Sequence, residues 1–281
     1  MTPAVEPDGR SRRPEDLYLD LLKRVLCRAG FESSFRILPT GRQLSHVPRR
    51  ALRRVLAARG LDVVLRADAE LRRDGRDWPT DAETMIGLVR LDNLQQCVVD
   101  VIRRGVPGDL IETGVWRGGA TILMRGVLAA YGVTDRVVWA ADSFEGLPRP
   151  DADRFAEDSG DPFWGYRDLA VSLDEVKANF ARYGLLDDQV RFLPGWFRDT
   201  LPSAPIEQLA VLRLDGDMYE STIVALEALY PKLAPGGYVI VDDYHAVSSC
   251  RSAVDDYRSA SGIDEPIERI DWGGAFWRRN A

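Results

Sequence analysis

The chain has 281 residues, 45% of them apolar and 29% charged, with a formal net charge of −7. This composition is typical of a globular protein with one large α/β domain and an extension, and the negative charge argues against nucleic acid as the main partner. Apolar segments are too short to span a membrane, a secretory signal is missing and the three cysteines are scattered, so we expect a cytoplasmic protein with reduced thiols and no membrane partner.

The N-terminal part of the chain lacks the alternating strand and helix patterns that mark the later part. We predict an N-terminal helical extension over residues 1–80 and the main domain over residues 81–281. Residues 1–14 are rich in Pro, Gly and Arg and are expected to be disordered. Residues 30–48 have no clear periodicity, and we predict an irregular segment there.

Apolar residues at helical spacing predict a helix over residues 17–27. Its apolar stripe suggests packing across a two-fold axis, so we expect a homodimer or a larger homo-oligomer. Two further helices are predicted around residues 47–59 and 81–104.

From Val106 onward, strand and helix patterns alternate. The predicted strands cover 109–113, 136–142, 189–193 and the runs that start at Leu209 and Gly237, followed by an antiparallel hairpin of 267–272 and 275–278. Alternation of this kind predicts βαβ units and a parallel sheet. We therefore predict an α/β fold, the Rossmann-like doubly wound sheet of the class I methyltransferases, with five parallel strands and a terminal antiparallel hairpin.

A glycine-rich turn follows the first predicted strand and leads into a helix. Glycines let the backbone approach a ligand, and the helix N-terminus presents free N–H groups. Trp116 stands where the dinucleotide fingerprint G-x-G-x-x-G needs its second glycine, so a pyrophosphate lacks room. The turn favours S-adenosylmethionine, whose ammonium group would use Glu112; a turn that serves only packing is the alternative. The cofactor contacts predicted here are Glu112, Thr113, Gly114, Val115, Trp116 and Gly118.

Two later segments extend the predicted cofactor site. Asp142, followed by Ser143, ends the second strand, where a carboxylate conventionally accepts both ribose hydroxyls; a helix cap is the alternative. Gly195, Trp196 and Phe197 follow the third strand and are predicted to flank the adenine ring.

Residues 158–166 form a long predicted loop at the same edge of the sheet. It carries Phe163, Trp164 and Tyr166 among Gly and Pro residues. Aromatic side chains on a polar loop suggest a lid over an acceptor, and a plug of the core is the alternative.

Four carboxylates follow the last two parallel strands. Asp215 and Asp217 end one apolar run, and Asp242 and Asp243 end the next. The carboxyl ends of neighbouring parallel strands meet at one sheet edge, so these groups would repel one another without a cation among them. An all-oxygen ligand set favours Mg²⁺, and separate helix caps are the alternative.

Several motifs together resemble the macrocin O-methyltransferase family. They occupy residues 109–119, 142–148, 171–180, 214–222 and 241–245, and the resemblance extends over about residues 80–279. It implies a Mg²⁺-dependent enzyme that methylates sugar hydroxyls of macrolides and aminocoumarins, hence a glycosylated small-molecule acceptor. It also implies that the N-terminal region shapes the acceptor pocket and the dimer contact. We add Thr84 and Met85 to the predicted cofactor contacts.

Methyl transfer to a sugar hydroxyl needs both charge stabilisation and a base, and the four carboxylates can supply these roles. We predict that Asp215, Asp242 and Asp243 hold the metal and that Asp217 is the general base. Exchange of the roles of Asp215 and Asp217 is an open alternative. His245 is a rival base or a partner of a metal ligand.

Three other functions are compatible with parts of the sequence. Asp215-Gly216-Asp217 is also the D-x-D pattern of metal-dependent glycosyltransferases, although that interpretation leaves the glycine turn and the hairpin unexplained. A scaffold without activity is a second alternative, and methylation of a catechol-like hydroxyl is a third.

Overall fold

The computed structural model describes residues 13–31, 35–37, 47–61, 63–66 and 68–280. Most of the segment that we predict to be disordered, residues 1–14, lies outside these ranges. None of the helices in the described ranges is long and apolar enough to cross a membrane.

The helices and strands are numbered in chain order. The helices are α1 Pro14–Cys27, α2 Val47–Ala57, α3 Ala69–Arg73, α4 Leu88–Arg104, α5 Gly119–Ala130, α6 Leu173–Arg182, α7 Phe197–Thr200, α8 Tyr219–Leu229 and α9 Ser248–Ser261. The strands are β1 Phe35–Ile37, β2 Val64–Arg66, β3 Asp109–Thr113, β4 Val138–Asp142, β5 Val190–Pro194, β6 Leu209–Leu214, β7 Leu233–Val241, β8 Glu268–Arg269 and β9 Ala275–Arg278. Short 3₁₀ turns occupy Ala156–Asp158, Phe163–Gly165, Arg167–Leu169 and Tyr230–Lys232.

The main sheet described in this chain has seven strands in the order β5-β4-β3-β6-β7-β9-β8. Strands β3 to β7 pair in parallel, and β9 runs antiparallel to both of its neighbours. This arrangement confirms the predicted doubly wound sheet with a terminal hairpin. The hairpin strand predicted over 267–272 is shorter than expected, since the residues after Arg269 turn towards β9.

Successive strand residues face opposite layers of helices. Leu110 belongs to the part of the core that contains residues of α1, α4 and α5, whereas its neighbour Ile111 belongs to the part that contains residues of α8 and α9. All six residues of β6 are buried. Burial on both faces explains why the strands appear in the sequence as continuous apolar runs.

The strand order creates a switch point between β3 and β6. The chain proceeds from β3 to β4 on one side, and β6 returns to the other side of β3. Thr113 pairs with Leu214, and Leu214 pairs with Val241. The residues that follow these three positions therefore lie side by side at the carboxyl edge, where open α/β sheets bind ligands.

The N-terminal part departs from the prediction in three respects. Pro14, expected to be disordered, begins α1. Part of the predicted irregular segment forms β1, which pairs antiparallel with β2, so the extension is not purely helical. The helix predicted over 81–104 begins only at Leu88, because Glu83 uses its carbonyl oxygen to accept a bond from Gly119 N and Gly87 adopts an extended backbone.

Helix α1 packs within the chain that carries it. Leu19, Leu22 and Leu26 are at most 5% exposed and join the core formed by α4 and α5, whereas Leu21 is 62% exposed. The apolar stripe from which we predict a dimer contact is therefore only partly covered by the same chain, since Leu17 and Tyr18 are also exposed. Assembly into a homodimer or larger oligomer stays a prediction.

The burial of α1 leads to a stability test. We expect Leu26→Ala to lower the free energy of unfolding by ~2–5 kcal/mol, since it leaves a cavity in the core. Leu21→Ala, the same substitution on the exposed side of α1, should change it by less than ~0.5 kcal/mol. Urea unfolding measures both, and equal effects would contradict the packing of α1 against the core.

Candidate active site

A cavity of about 550 Å³ lies at the carboxyl edge of the sheet. All four predicted acidic residues line it, as do most of the predicted cofactor contacts. These lining residues are Thr84, Met85, Glu112, Gly114, Val115, Trp116, Asp142, Ser143, Trp196, Phe197, Asp215, Asp217, Asp242 and Asp243. The tertiary structure thus brings together residues from six separate segments of the chain.

Three predicted cofactor contacts are not among the residues that line this cavity. Thr113 is 1% exposed, and its hydroxyl donates to the carbonyl oxygen of Arg213. Gly118 caps α5 and faces Val176. Gly195 donates its N–H to the carbonyl oxygen of Asp142 (2.9 Å). Each of these three residues contacts other parts of the chain near the cavity but does not line it.

The glycine turn is shaped by its contact with β6. Gly114 has φ +87°, and a Cβ atom there would lie 1.6 Å from the carbonyl oxygen of Asp215. Only glycine allows this approach without a shift of the backbone. Trp116 also has positive φ, and its indole N–H donates to Asp168 O (2.9 Å).

Asp142 holds the turn through its carboxylate. One oxygen accepts from Val115 N (2.7 Å), and the other accepts from Phe144 N (2.7 Å). Burial raises the pKa of this carboxyl group, while the bonds from backbone N–H groups oppose the shift. Since a carboxylate has about four lone-pair sites, both oxygens keep capacity for further hydrogen bonds.

The acidic cluster has the geometry of a cation site. Asp215, Asp242 and Asp243 each offer a carboxylate oxygen, and these three atoms lie within 4.8 Å of one another. The second carboxylate oxygen of Asp243 is buried and has no hydrogen-bond partner. Such an orphaned oxygen among carboxylates fits a hard divalent cation such as Mg²⁺.

Burial and like charges raise the pKa values of Asp215, Asp217 and Asp243. Burial, followed by repulsion from neighbouring carboxylates, raises the pKa of Asp215 to about 6 and that of Asp217 to about 8. The same two causes raise the pKa of Asp243. Asp217 has φ +56°, a left-handed conformation that is rare outside glycine and is often found at functional sites.

Two buried arginines offset part of this negative charge. Arg213 on β6 donates to Glu112 (2.5 Å), Asp215 (2.8 Å) and Asp242 (2.5 Å). Arg90 on α4 donates to the other oxygen of Asp242. Burial raises the pKa of Glu112 to about 7, and the positive charge of Arg213 opposes that shift.

The predicted lid contributes to the cavity wall. Phe163 lines the cavity, and Tyr166 meets Trp78 edge to face with ring centroids 5.3 Å apart. Asp158 is 1% exposed and accepts from the backbone N–H groups of Tyr219 and Glu220, so it caps α8 from a distance in sequence. The segment therefore packs at the sheet edge, and both the lid and the core plug stay predictions.

Several cavity residues are absent from the sequence prediction. They include Arg76, Trp78, Arg90, Ser221 and Trp272. Trp272 precedes Gly273-Gly274, a signal that we interpret from the sequence only as a hairpin turn. Nothing in the local pattern of Trp78 or Arg90 indicates that the fold carries them to this edge.

The rival base His245 lies outside the cavity lining. It is exposed, and its backbone N–H donates to Gly273 O (2.7 Å). Its ring meets Tyr244 edge to face with centroids 5.0 Å apart. This position does not favour His245 as a group that contacts a substrate in the cavity.

Comparison with known proteins identifies close relatives. The sequence model of the macrocin O-methyltransferase family matches residues 15–279. A tetracenomycin rhamnosyl 4′-O-methyltransferase of Streptomyces olivaceus is 62% identical over 215 residues, which is 76% of this chain and 82% of the relative. Demethyldecarbamoylnovobiocin O-methyltransferase of Streptomyces niveus is 50% identical over 281 residues, 99% of each chain. The solved structure of the O-methyltransferase NovP is 48% identical, has a TM-score of 0.82 and aligns over 95% of this chain and 100% of its own.

The contact of the glycine turn with β6 can be tested by stability. We expect Gly114→Ala to combine a φ cost of about 1–2 kcal/mol with an overpacking cost of about 1–3 kcal/mol, because the new Cβ meets the Asp215 carbonyl. Gly132→Ala is a matched control, since Gly132 also has positive φ but open space around it. Urea unfolding should show the larger loss for Gly114→Ala. Equal losses would contradict the close approach.

Proposed function

The chain belongs to the macrocin O-methyltransferase family, and we propose that it transfers a methyl group from S-adenosylmethionine to a sugar hydroxyl of a glycosylated natural product. Its role would be a methylation step in the biosynthesis of an antibiotic-like glycoside. One observation carries the proposal: the glycine turn at Gly114 and the acidic cluster at Asp215 line the same cavity. A methyl donor and a metal-bound acceptor would meet there.

The cofactor would occupy the part of the cavity beside β3 and β4. When bound, S-adenosylmethionine supplies a methyl group activated by its sulfonium charge. Glu112 would accept from its ammonium group, Asp142 from the ribose hydroxyls, and Trp196 with Phe197 would cover the adenine. Thr84, Met85, Gly114, Val115, Trp116 and Ser143 would complete the walls, with Thr113, Gly118 and Gly195 as their support.

The metal would occupy the part of the cavity beside β6 and β7. When bound, Mg²⁺ supplies positive charge that lowers the pKa of an acceptor hydroxyl and orients it. We propose that Asp215, Asp242 and Asp243 hold the ion. The support is the 4.8 Å grouping of their oxygens and the unpartnered oxygen of Asp243.

Asp217 is the proposed general base. It lines the cavity but stands outside the trio of grouped oxygens, so it would be free to accept the proton of the acceptor hydroxyl. A second assignment exchanges Asp217 with Asp215. It is favoured by the closeness of Asp217 to the acidic cluster, since repulsion from Asp215 and Asp242 adds to burial in raising the pKa of Asp217 to about 8.

The acceptor would enter on the side of the cavity that is bordered by the predicted lid and the terminal hairpin turn. Trp78, Phe163 and Trp272 offer aromatic surface on this side of the cavity. Flat apolar surface next to carboxylate oxygens that accept hydrogen bonds suits a sugar ring, which has an apolar face and hydroxyls at its rim. The rhamnosyl acceptor named for the Streptomyces olivaceus relative supports a deoxysugar or similar ring.

A methyl-transfer assay tests the function. We expect Mg²⁺-dependent transfer of labelled methyl from S-adenosylmethionine to glycosylated natural products, with near-complete loss in EDTA and recovery on addition of Mg²⁺. The matching aglycones are the control and should not be methylated. Full activity in EDTA would refute the metal role. Methylation of catechols or aglycones instead would overturn the acceptor class, and turnover of a nucleotide sugar would support a glycosyltransferase.

Paired substitutions separate the base from the metal ligands. If Asp217 is the base, Asp217→Asn should lower kcat by ~10²–10⁴-fold while the Kd for Mg²⁺ stays nearly unchanged. Asp215→Asn should weaken Mg²⁺ binding, and excess Mg²⁺ should restore part of the rate. Calorimetry and initial rates measure both effects. The reverse pattern would establish the exchanged assignment, and normal rates in both variants would exclude either residue as the base.

A further inference from the structure

Arg90 is buried, with only 5% of its surface exposed, and it contacts Asp242, Asp271 and Trp272. Its Nη1 donates to an oxygen of Asp242, and its Nε donates to Asp271 (2.9 Å). The guanidinium group lies over the ring of Trp272, with Cζ 4.8 Å from the centroid. Arg90 therefore joins helix α4, the end of β7 and the turn before β9.

Both oxygens of Asp242 accept from arginines. Arg90 donates to Oδ2, and Arg213 donates to Oδ1 (2.5 Å). Two donors on opposite oxygens fix the plane of the carboxylate, so it cannot rotate away from Asp215 and Asp243. A carboxylate has about four lone-pair sites, so each oxygen of Asp242 retains capacity for a cation.

The terminal hairpin turn in turn holds Arg90. One oxygen of Asp271 accepts from the backbone N–H groups of Gly273 and Gly274 (2.8 Å each), and the other accepts from Arg90. A Cβ atom on Gly273 would lie 2.5 Å from Nη2 of Arg90. The turn is thus shaped to the guanidinium group, which is more than a peripheral ion pair requires.

We infer that Arg90 is a positioning residue for the metal site: oriented by Asp271, it holds Asp242 in the direction that binds the ion. This inference rests on the proposed magnesium site. Partners that orient a ligand in this way typically contribute 10–100-fold to metal affinity. In this role Arg90 acts through Asp242 and not on the reacting atoms.

The charge of Arg90 acts in two opposite ways. It reduces repulsion among the carboxylates, but it also repels a divalent cation. A lysine at this position keeps the positive charge and loses the forked geometry that joins Asp242 to Asp271. Arg90→Lys therefore leaves the charge nearly constant and changes mainly the orientation of the carboxylate.

The experiment measures Mg²⁺ and S-adenosylmethionine binding to the full chain by calorimetry. We expect Arg90→Lys to raise the Kd for Mg²⁺ by ~10–100-fold, with the Kd for S-adenosylmethionine nearly unchanged. In the methyl-transfer assay, excess Mg²⁺ should restore most of the lost rate. A merely structural role would weaken both ligands together or neither.

Asp271→Asn tests whether the effect of Arg90 on Mg²⁺ affinity depends on its orientation by the hairpin turn. Asparagine retains an oxygen that can accept from Gly273 and Gly274, but its amide nitrogen cannot accept from Arg90. We expect Mg²⁺ affinity to fall in the same direction as in Arg90→Lys. This variant also decides the matter if Arg90→Lys does not fold, as judged by thermal melting.

Arg258→Lys is the matched control. Arg258 is 8% exposed and lies over Trp277 with Cζ 4.7 Å from the ring centroid, and it donates to Glu265 O, away from the acidic cluster. We expect a lower Tm with the wild-type Kd for Mg²⁺. Wild-type Mg²⁺ affinity in folded Arg90→Lys or in Asp271→Asn would overturn the inference. Failure of the wild-type chain to bind Mg²⁺ would instead overturn the proposed magnesium site.

Discussion

The crowding of carboxylates at the ends of β6 and β7 is the constraint on which the site depends. Asp215, Asp217, Asp242 and Asp243 line one cavity, and two buried arginines supply part of the compensating charge. Buried ion pairs contribute little net stability, because desolvation costs several kcal/mol per ion. Apolar side chains would serve stability as well, so folding alone does not explain the arrangement, whereas the proposed cation would.

The sheet supplies the rigid frame that this crowding needs. β6 is buried on both faces, and its neighbours β3 and β7 are fixed in register along it. The residues that follow the three strands must therefore be adjacent, and the left-handed conformations of Gly114 and Asp217 accommodate that proximity. Groups that directly follow rigid strands keep their mutual distances better than groups on long loops, as pre-organised chemistry requires.

Arg213 connects the two halves of the cavity. It donates to Glu112 beside the glycine turn and to Asp215 and Asp242 in the acidic cluster. Arg90 extends the same chain of ion pairs to Asp271 in the terminal hairpin. The glycine turn, the acidic cluster and the terminal hairpin are thus joined by direct contacts.

The sequence by itself determined the sheet, the glycine turn and the four carboxylates. Strand runs, turn residues and strand-end acids are local patterns, and the rules for parallel sheets place their ends together. Only the tertiary structure decided that Leu88 begins α4, that one side of α1 packs against the core of its own chain, and that Arg90, Trp78 and Trp272 reach the cavity. Periodicity indicates which face of an element is buried but not what covers it, and contacts such as Arg90–Asp271, 181 residues apart, leave no local pattern in the sequence.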